Sequence, residues 1–376
     1  MGTVYFRSHY LRYLSAIALF FPLELSYGGI SHAQAQNSPI VASYQNTKAI
    51  DKKWDKEKLE KKTIFLTQNT TESSEEDLNK LLEKGQKNYR EGLFQEALKD
   101  YQTLLEIYQK ASNQKEIGKT LNAIGEVLTD MGNHEKAKET LNRALKINKL
   151  LGGLVEEGNT INLMGIIERV EGRYSQAMSL HLQALDIAKK TGDRALLAES
   201  LHNIAATYTQ LGQYAKALEY YQQARSVRNE VGDKRDLGRT LNNMGAVYYN
   251  MGQYPKALEF YSQSLAIRRE IGDRAGTGRL LNNIGLTYRK LGQDTAALAF
   301  FKEAIIMLEA IGDKTSLGRL LNNMGAIYES QGQSSKALES YQRALQLAKE
   351  SGDKTSEQKA AESLERVSNK PSNKNN

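Results

Sequence analysis

The apolar positions of this chain keep a strict beat. Leu241, Met244, Gly245 and Tyr248 stand at i, i+3, i+4 and i+7, which is one face of an α-helix. Gly252 ends that helix, because glycine takes the left-handed C′ conformation without strain. Pro255 fits the first turn of a second helix, where its missing N–H costs nothing. That helix turns Ala257, Phe260, Tyr261, Ser264, Leu265 and Ile267 to its apolar side. Gly272 closes it, and the Asp273 carboxylate is placed to cap the next helix.

The whole pattern recurs every 40 residues. Gly125, Gly165, Gly245, Gly285 and Gly325 share one phase, with Gly85 ahead of them and Ala205 in the gap. A second glycine follows seven residues on, from Gly92 to Gly332, and an alanine five after that, from Ala97 to Ala337. Gly-Asp recurs at 192, 232, 272, 312 and 352. This predicts an all-α solenoid of seven antiparallel helix pairs over 78–353: 78–117, 118–157, 158–197, 198–237, 238–277, 278–317 and 318–353. Residues 354–367 form a capping helix with Ala361, Leu364 and Val367 inward, as a solenoid end requires. Residues 368–376 are a polar tail. A glycine inside a helix is about 1 kcal/mol worse than alanine. Five at one phase therefore imply close approach of the paired helix, with the Ala257-type residues opposite.

Leu241, Gly245, Tyr248, Ala257 and Tyr261 resemble the signature positions of tetratricopeptide repeats. The period here is longer, and the added Gly-Asp loop and Leu-Asn-Asn run are similar to the variant repeats of G-protein-signalling modulators and kinesin light chains. The resemblance implies a right-handed superhelix whose first helices line the concave wall, and a partner-binding role. Similar arrays with secretion signals precede caspase-like protease domains in bacterial proteins. Signalling modulators carry Asn just after the glycine, where Ala246 and Ala326 stand, so their ligand is not carried over. Asn88, Leu128 and Glu168 replace the tyrosine of the 248 phase, and His181 replaces that of the 261 phase.

Ahead of the array, residues 1–35 read as a secretory signal peptide. Arg7 and Arg12 precede a short apolar run from Leu14 to Leu23, and Ala33-Gln-Ala35 is a small-residue cleavage site. Export to the periplasm or beyond follows, in a bacterial host, and no other stretch is apolar enough to cross a membrane. Residues 36–76 read as a polar tether in which Trp54 is the lone apolar anchor; Asn69-Thr-Thr71 is a glycosylation sequon. The absence of cysteine removes disulfides, thiolate nucleophiles and lipid attachment at Cys.

On the polar side of the first helices stand Arg239, Asn242, Asn243, Arg279, Asn282, Asn283, Arg319, Asn322 and Asn323. Arginine offers a fork for carboxylates, and asparagine offers both donor and acceptor to an extended backbone. Ala246 and Ala326 leave room beside them. Earlier repeats carry Lys119, Asn122, Asn159, Asn162, Glu199, His202 and Asn203 on the same face. Two uses fit this ladder: peptide binding, or bonding between adjacent helices and to the loop aspartates.

The charge of +7 favours acidic partners by steering. Nucleic acid is not expected, for want of a basic run or reader motif. His9, His32, His134, His181 and His202 are scattered and form no metal-ligand spacing. Gly153 to Thr160 mimics a phosphate loop but lacks its lysine. The expectation is an exported scaffold without catalysis or cofactor that holds a protein or peptide segment. The alternative is a sensor subunit of a caspase-like protease encoded on another chain.

Overall fold

The computed structural model describes residues 75–369. The leader, the tether up to Ser74 with Trp54 and the Asn69 sequon, and residues 370–376 of the tail lie outside them.

Every described element is helical. Helix α1 covers residues 75–91, α2 Phe94–Lys110, α3 Gln114–Asp130, α4 His134–Leu150 and α5 Leu154–Val170. Then come α6 Tyr174–Thr191, α7 Arg194–Gln210, α8 Tyr214–Val231, α9 Lys234–Asn250 and α10 Tyr254–Glu270. The chain finishes with α11 Arg274–Lys290, α12 Asp294–Ile311, α13 Lys314–Ser330, α14 Ser334–Ser351 and α15 Lys354–Ser368. Odd-numbered helices α1 to α13 are the first arms of seven hairpins, even-numbered helices are the second arms, and α15 closes the array. Each arm packs on its partner and then on the next hairpin.

The loops are as short as the sequence implies. Asp193, Asp233, Asp273, Asp313 and Asp353 each accept the N–H three residues on, at 2.7 to 3.1 Å. That satisfies one of the orphan donors at each first-arm N-terminus. Gly252 sits at φ 72°, and its counterparts in the other copies are likewise left-handed.

The interior glycines work differently from expectation. A Cβ at Gly245 would lie 2.6 Å from the Tyr261 ring, at Gly285 2.4 Å from Phe301, and at Gly325 2.6 Å from Tyr341. Leu141 and His181 hold the same place against Gly125 and Gly165. The residue sixteen positions on therefore occupies the space that glycine frees. The Ala257 phase contributes only a carbonyl oxygen, 3.2 Å from the same added Cβ at Gly245. Its seven alanines are all wholly buried, at 0% exposure, and let the two arms meet elsewhere along their length. At the other edge Tyr248 stacks on Phe260 and Tyr288 on Phe300, each pair with ring centres 5.2 Å apart. Lys256 lies over the Tyr248 ring.

The core is a string of clusters rather than one centre. One holds Tyr101, Leu104, Ile124, Leu141 and Ile167; another, towards the far end, holds Tyr261, Leu281, Phe301, Leu308 and Leu321. Smaller clusters join them. Fully burying such a side chain contributes roughly 1.5–3 kcal/mol, and here it is shared between neighbouring hairpins. At the end, α15 buries Ala360, Ser363 and Val367. Ala361, expected to face inward, is exposed. The inward stripe is 360, 363, 364 and 367, so Ala360 replaces Ala361 in the set, and Arg366 forks onto Glu329 at 2.9 and 3.1 Å. Among the described residues no helix is long and apolar enough to cross a membrane.

Candidate interaction groove

The first arms line a groove of about 1940 Å³ that runs from Tyr89 and Gly92 to the start of α13 and the loop at Gly352 and Asp353. Its wall carries Asn122 and Glu126 from α3, Arg169 from α5, Glu199 and Asn203 from α7, and Arg239 and Ala246 from α9. A smaller recess of about 310 Å³ lies between α9, α11 and α13.

Seven of the nine expected residues divide between these spaces. Arg239, Asn243, Arg279 and Arg319 line the larger groove. Asn242, Asn282 and Asn283 line the recess, together with Arg279 and Arg319. Asn322 and Asn323 line neither, and Asn322 is buried. The arginines are engaged but not enclosed. Arg279 gives Nη1 to Asp313 at 3.2 Å, and Arg319 gives Nε and Nη2 to Asp353 at 3.0 and 2.8 Å. In both, the aspartate's other oxygen caps a helix. Both arginines thus reach the loop aspartate that follows the next second arm. Arg239 bonds Asp236 at 2.9 Å and Glu199 at 2.5 Å. A guanidinium has five donors, so each fork keeps N–H groups for the groove.

The asparagines bond from hairpin to hairpin. Asn283 Nδ2 donates to Asn242 Oδ1 at 3.1 Å, and Asn323 Nδ2 to Asn282 Oδ1 at 3.0 Å. Both steps are 41 residues. Earlier in the array the step is 38: the Thr160 hydroxyl lies 2.9 Å from Asn122 Oδ1, and Asn162 Nδ2 donates to Ser200 at 2.9 Å. The reason is one buried position. It carries Thr160, Ser200 and Thr240, then Leu280 and Leu320. A leucine offers no acceptor, so the next asparagine along takes over. His202 sits at the change, 3.3 Å from Thr240 Oγ1 and 3.1 Å from Asn243 Nδ2.

Three parts of the wall escape a reading based on recurrence. The first is a buried node. Arg228, 1% exposed, donates to Glu199 at 2.7 Å and to the Asp236 carbonyl at 3.0 Å, with Nη1 3.0 Å from His202. The second is acidic. Tyr89 donates to Asp130 at 2.7 Å, and neighbouring Glu126 is pushed up to about 7 by burial in the wall and by the Asp130 charge. The third is Arg169, whose Nε meets no protein acceptor; burial holds its pKa below the usual arginine value. His181 is wholly buried, as its apolar phase suggested, and burial pushes it down to about 3, with the Arg169 charge adding to that. Burial and the charges of Arg239, Arg228 and Arg169 likewise keep His202 neutral. Among the described residues no group of three His, Asp or Glu could hold a metal ion.

The tetratricopeptide-repeat family matches this chain over residues 77–149, 156–230, 236–310 and 318–351. No curated protein sequence matches it. Among solved structures it is similar to a Rap protein complexed with competence and sporulation factor, at 17% identity and TM-score 0.58 over 73% of this chain and 75% of that one. It is similar to the Rap conjugation gene regulator of plasmid pLS20 in complex with the Phr* peptide, at 19% identity and TM-score 0.57 over 74% and 75%. A third likeness is to the Pyrococcus horikoshii signal transduction ATPase with numerous domains, which carries a tetratricopeptide-repeat sensor, at 16% identity and TM-score 0.58. There 74% of this chain covers 43% of the ATPase. At these identities the likeness shows the fold.

Proposed function

The chain belongs to the tetratricopeptide-repeat family, and from that premise we propose that it is a non-catalytic scaffold that holds a segment of a partner protein along its first-arm groove. One observation carries this reading: the groove of about 1940 Å³ is walled by recurring first-arm polar side chains whose forks keep free donors. Two structures of the same fold are described as complexes with competence and sporulation factor and with a peptide, which supports the use of such a surface for extended ligands. Arg239, Arg279 and Arg319 receive carboxylates of the segment. Asn243 in the groove and Asn242, Asn282 and Asn283 in the recess align the wall and offer their remaining amide groups to its backbone, while Asn322 and Asn323 take no part. The leader of residues 1–35 sends the mature chain out of the cytoplasm, and mass spectrometry of the exported protein should find its first residue at 36.

The test is capture of partners by the mature array. Arg279→Ala with Asn282→Ala should reduce capture at least tenfold, whereas Glu259→Ala, an exposed change on a second arm, should leave it intact. Equal losses would remove the groove from the account. The regulatory alternative, a sensor for a caspase-like protease on another chain, rests on the sequence resemblance. A protease of that class among the captured proteins would favour it.

A further inference from the structure

The loops that follow the second arms form one edge of the array, and an ion-pair ladder runs along it. Arg194 pairs with Glu230, Lys234 with Glu270, and Lys314 with Glu350, each 36 residues on. The loop between α4 and α5 breaks this ladder. Leu154 stands where five other copies carry a cation, Arg194 among them, and the remaining copy carries Gln114. Leu150 stands where five other copies carry Lys or Glu, and the sixth Ala310. Leu150 is 79% exposed, Leu151 50% and Leu154 49%. Gly153 takes the place of the capping Asn or Asp, so α5 starts without a side-chain cap. Gly152 is left-handed, and a Cβ there would meet nothing within 4 Å. The tip stands clear of the rest of the chain, and residues 150–154 hold three leucines and no polar side chain.

A lone exposed leucine is ordinary. Three at one tip, set where the other copies carry charge, mark a contact surface. The charge around the tip says what it contacts. Residues 109–115, 149–155 and 189–195 hold six cations and one anion, and that anion, Asp193, caps a helix. The same windows in the four later loops hold seven cations and eight anions. Among the described residues Lys110, Lys115 and Lys189 pair with no carboxylate. Lys149 and Lys190 reach Glu157 at 3.7 Å and Asp186 at 2.5 Å, but both lysines are more than half exposed. By the register of the ladder, Lys190 lies beside Leu154. The apolar tip is therefore flanked on both sides by cations that the chain leaves largely unneutralised.

We propose that this edge docks the protein on the surface of an anionic lipid bilayer. Leu150, Leu151 and Leu154 enter the boundary between headgroups and acyl chains, and the flanking lysines meet the negatively charged headgroups. Two features favour a bilayer over a protein partner. The tip projects, so a protein would need a matching pocket, whereas a fluid bilayer closes around it. Its unpaired cations are flexible lysines, which act as point charges, rather than planar forks aimed at one carboxylate. None of the three leucines lines the groove. The docked array therefore keeps its groove open, and the docking stands or falls separately from the groove reading above.

The chain has no cysteine, so a single site can be labelled. A polarity-sensitive fluorophore is attached to Leu151→Cys in the full chain. The control is the same label on Glu259→Cys, an exposed site near the opposite edge. The probes are vesicles of phosphatidylcholine alone and of equal parts phosphatidylcholine and phosphatidylglycerol. The label at 151 should shift to the blue on the anionic vesicles and far more weakly on phosphatidylcholine alone, while the label at 259 stays unchanged. Leu150→Ser with Leu154→Ser, made in the chain labelled at 151, should raise the lipid needed for half the shift by at least about tenfold. The helical circular-dichroism signal should not change, because both leucines are exposed. Lys110→Glu with Lys189→Glu should raise that lipid requirement by at least about fivefold, and so should high salt on the unaltered loop charges. No shift at 151, an equal shift on phosphatidylcholine alone, or an equal shift at 259 would overturn the proposal. An unaltered lipid requirement in either double variant would also overturn it. So would a blue shift that needs no vesicles and grows with protein concentration, which would make a second copy the occupant.

Discussion

From Asn122 to Thr240 the first arms are stitched by side chains 38 residues apart, and from Asn242 to Asn323 by side chains 41 residues apart. The later half is uniform. Each asparagine rung and each arginine-to-aspartate pair repeats the one before it, and its polar groups largely satisfy one another. The earlier half is made of single solutions: Asn162 with His181 and Ser200, Arg228 with Glu199 and His202, Tyr89 with Asp130. It is also where groove donors and an acid with a raised proton affinity are left over. Repetition here marks architecture, and departure from it marks chemistry held in reserve.

The contrast can be broken at its strongest point first. Arg228→Ala removes the buried hub, leaves Glu199 to Arg239 alone and opens a cavity beside His202 and Thr240; it should cost about 3–5 kcal/mol, read as a large fall in the urea midpoint. Asn283→Ala, the equivalent cut in the uniform half, should cost only about 1 kcal/mol. Next come the glycines. Gly285→Ala drives a methyl into Phe301 and should destabilise by about 1–3 kcal/mol, even after the gain in helix propensity. Gly238→Ala, whose added Cβ would have its nearest neighbour at 3.5 Å, should stabilise by up to about 1 kcal/mol. A smaller effect separates the halves by pH. Glu126 binds its proton more tightly folded than unfolded, so its contribution falls as pH rises from about 4.5 towards 7. Glu126→Gln should therefore raise the thermal midpoint at pH 8 and leave it unchanged at pH 4. The least effect is expected of Arg319→Ala, because Arg319 is 61% exposed and Asp353 keeps its bonds to Ser356. The loss should stay below about 1 kcal/mol and fade in high salt.

Much of the fold was legible because it depends on recurrence. The 40-residue beat located both arms, the left-handed glycines, and the aspartate caps at 193 through 353. It misassigned the filler of the glycine notch, since Ala257 and Tyr261 lie on one helix face and periodicity cannot rank their reach. It also set the last helix one residue out at Ala361, where no further copy exists to fix the phase. The candidate wall was legible as a face, but its bonding was not. Whether Asn242 reaches forward or sideways depends on Leu280 being a leucine, which is a contact between hairpins. Glu126 occurs once at its phase, and Arg169 and Arg228 recur only at Arg289 and Arg268 among residues of other kinds, so following repeated residues passes over them. The position of Arg228 is held elsewhere by Asn148, Ala188, Leu308 and Ala348, all buried, and by Arg268, which turns to Asp273 and Ser264 instead.

The double use of Asp313 and Asp353 has a consequence for how such an array can grow. One oxygen starts a helix, and the other fastens the arginine 34 residues upstream. Everything a late copy needs is therefore supplied by its immediate neighbours. A whole unit duplicated there would arrive with its own fastenings and lengthen the trough by one step. The same insertion just after Arg228 would part it from the Asp236 carbonyl and Thr240 while leaving Glu199 and His202 behind, so the molecule is open to extension at one end and resists it in the middle.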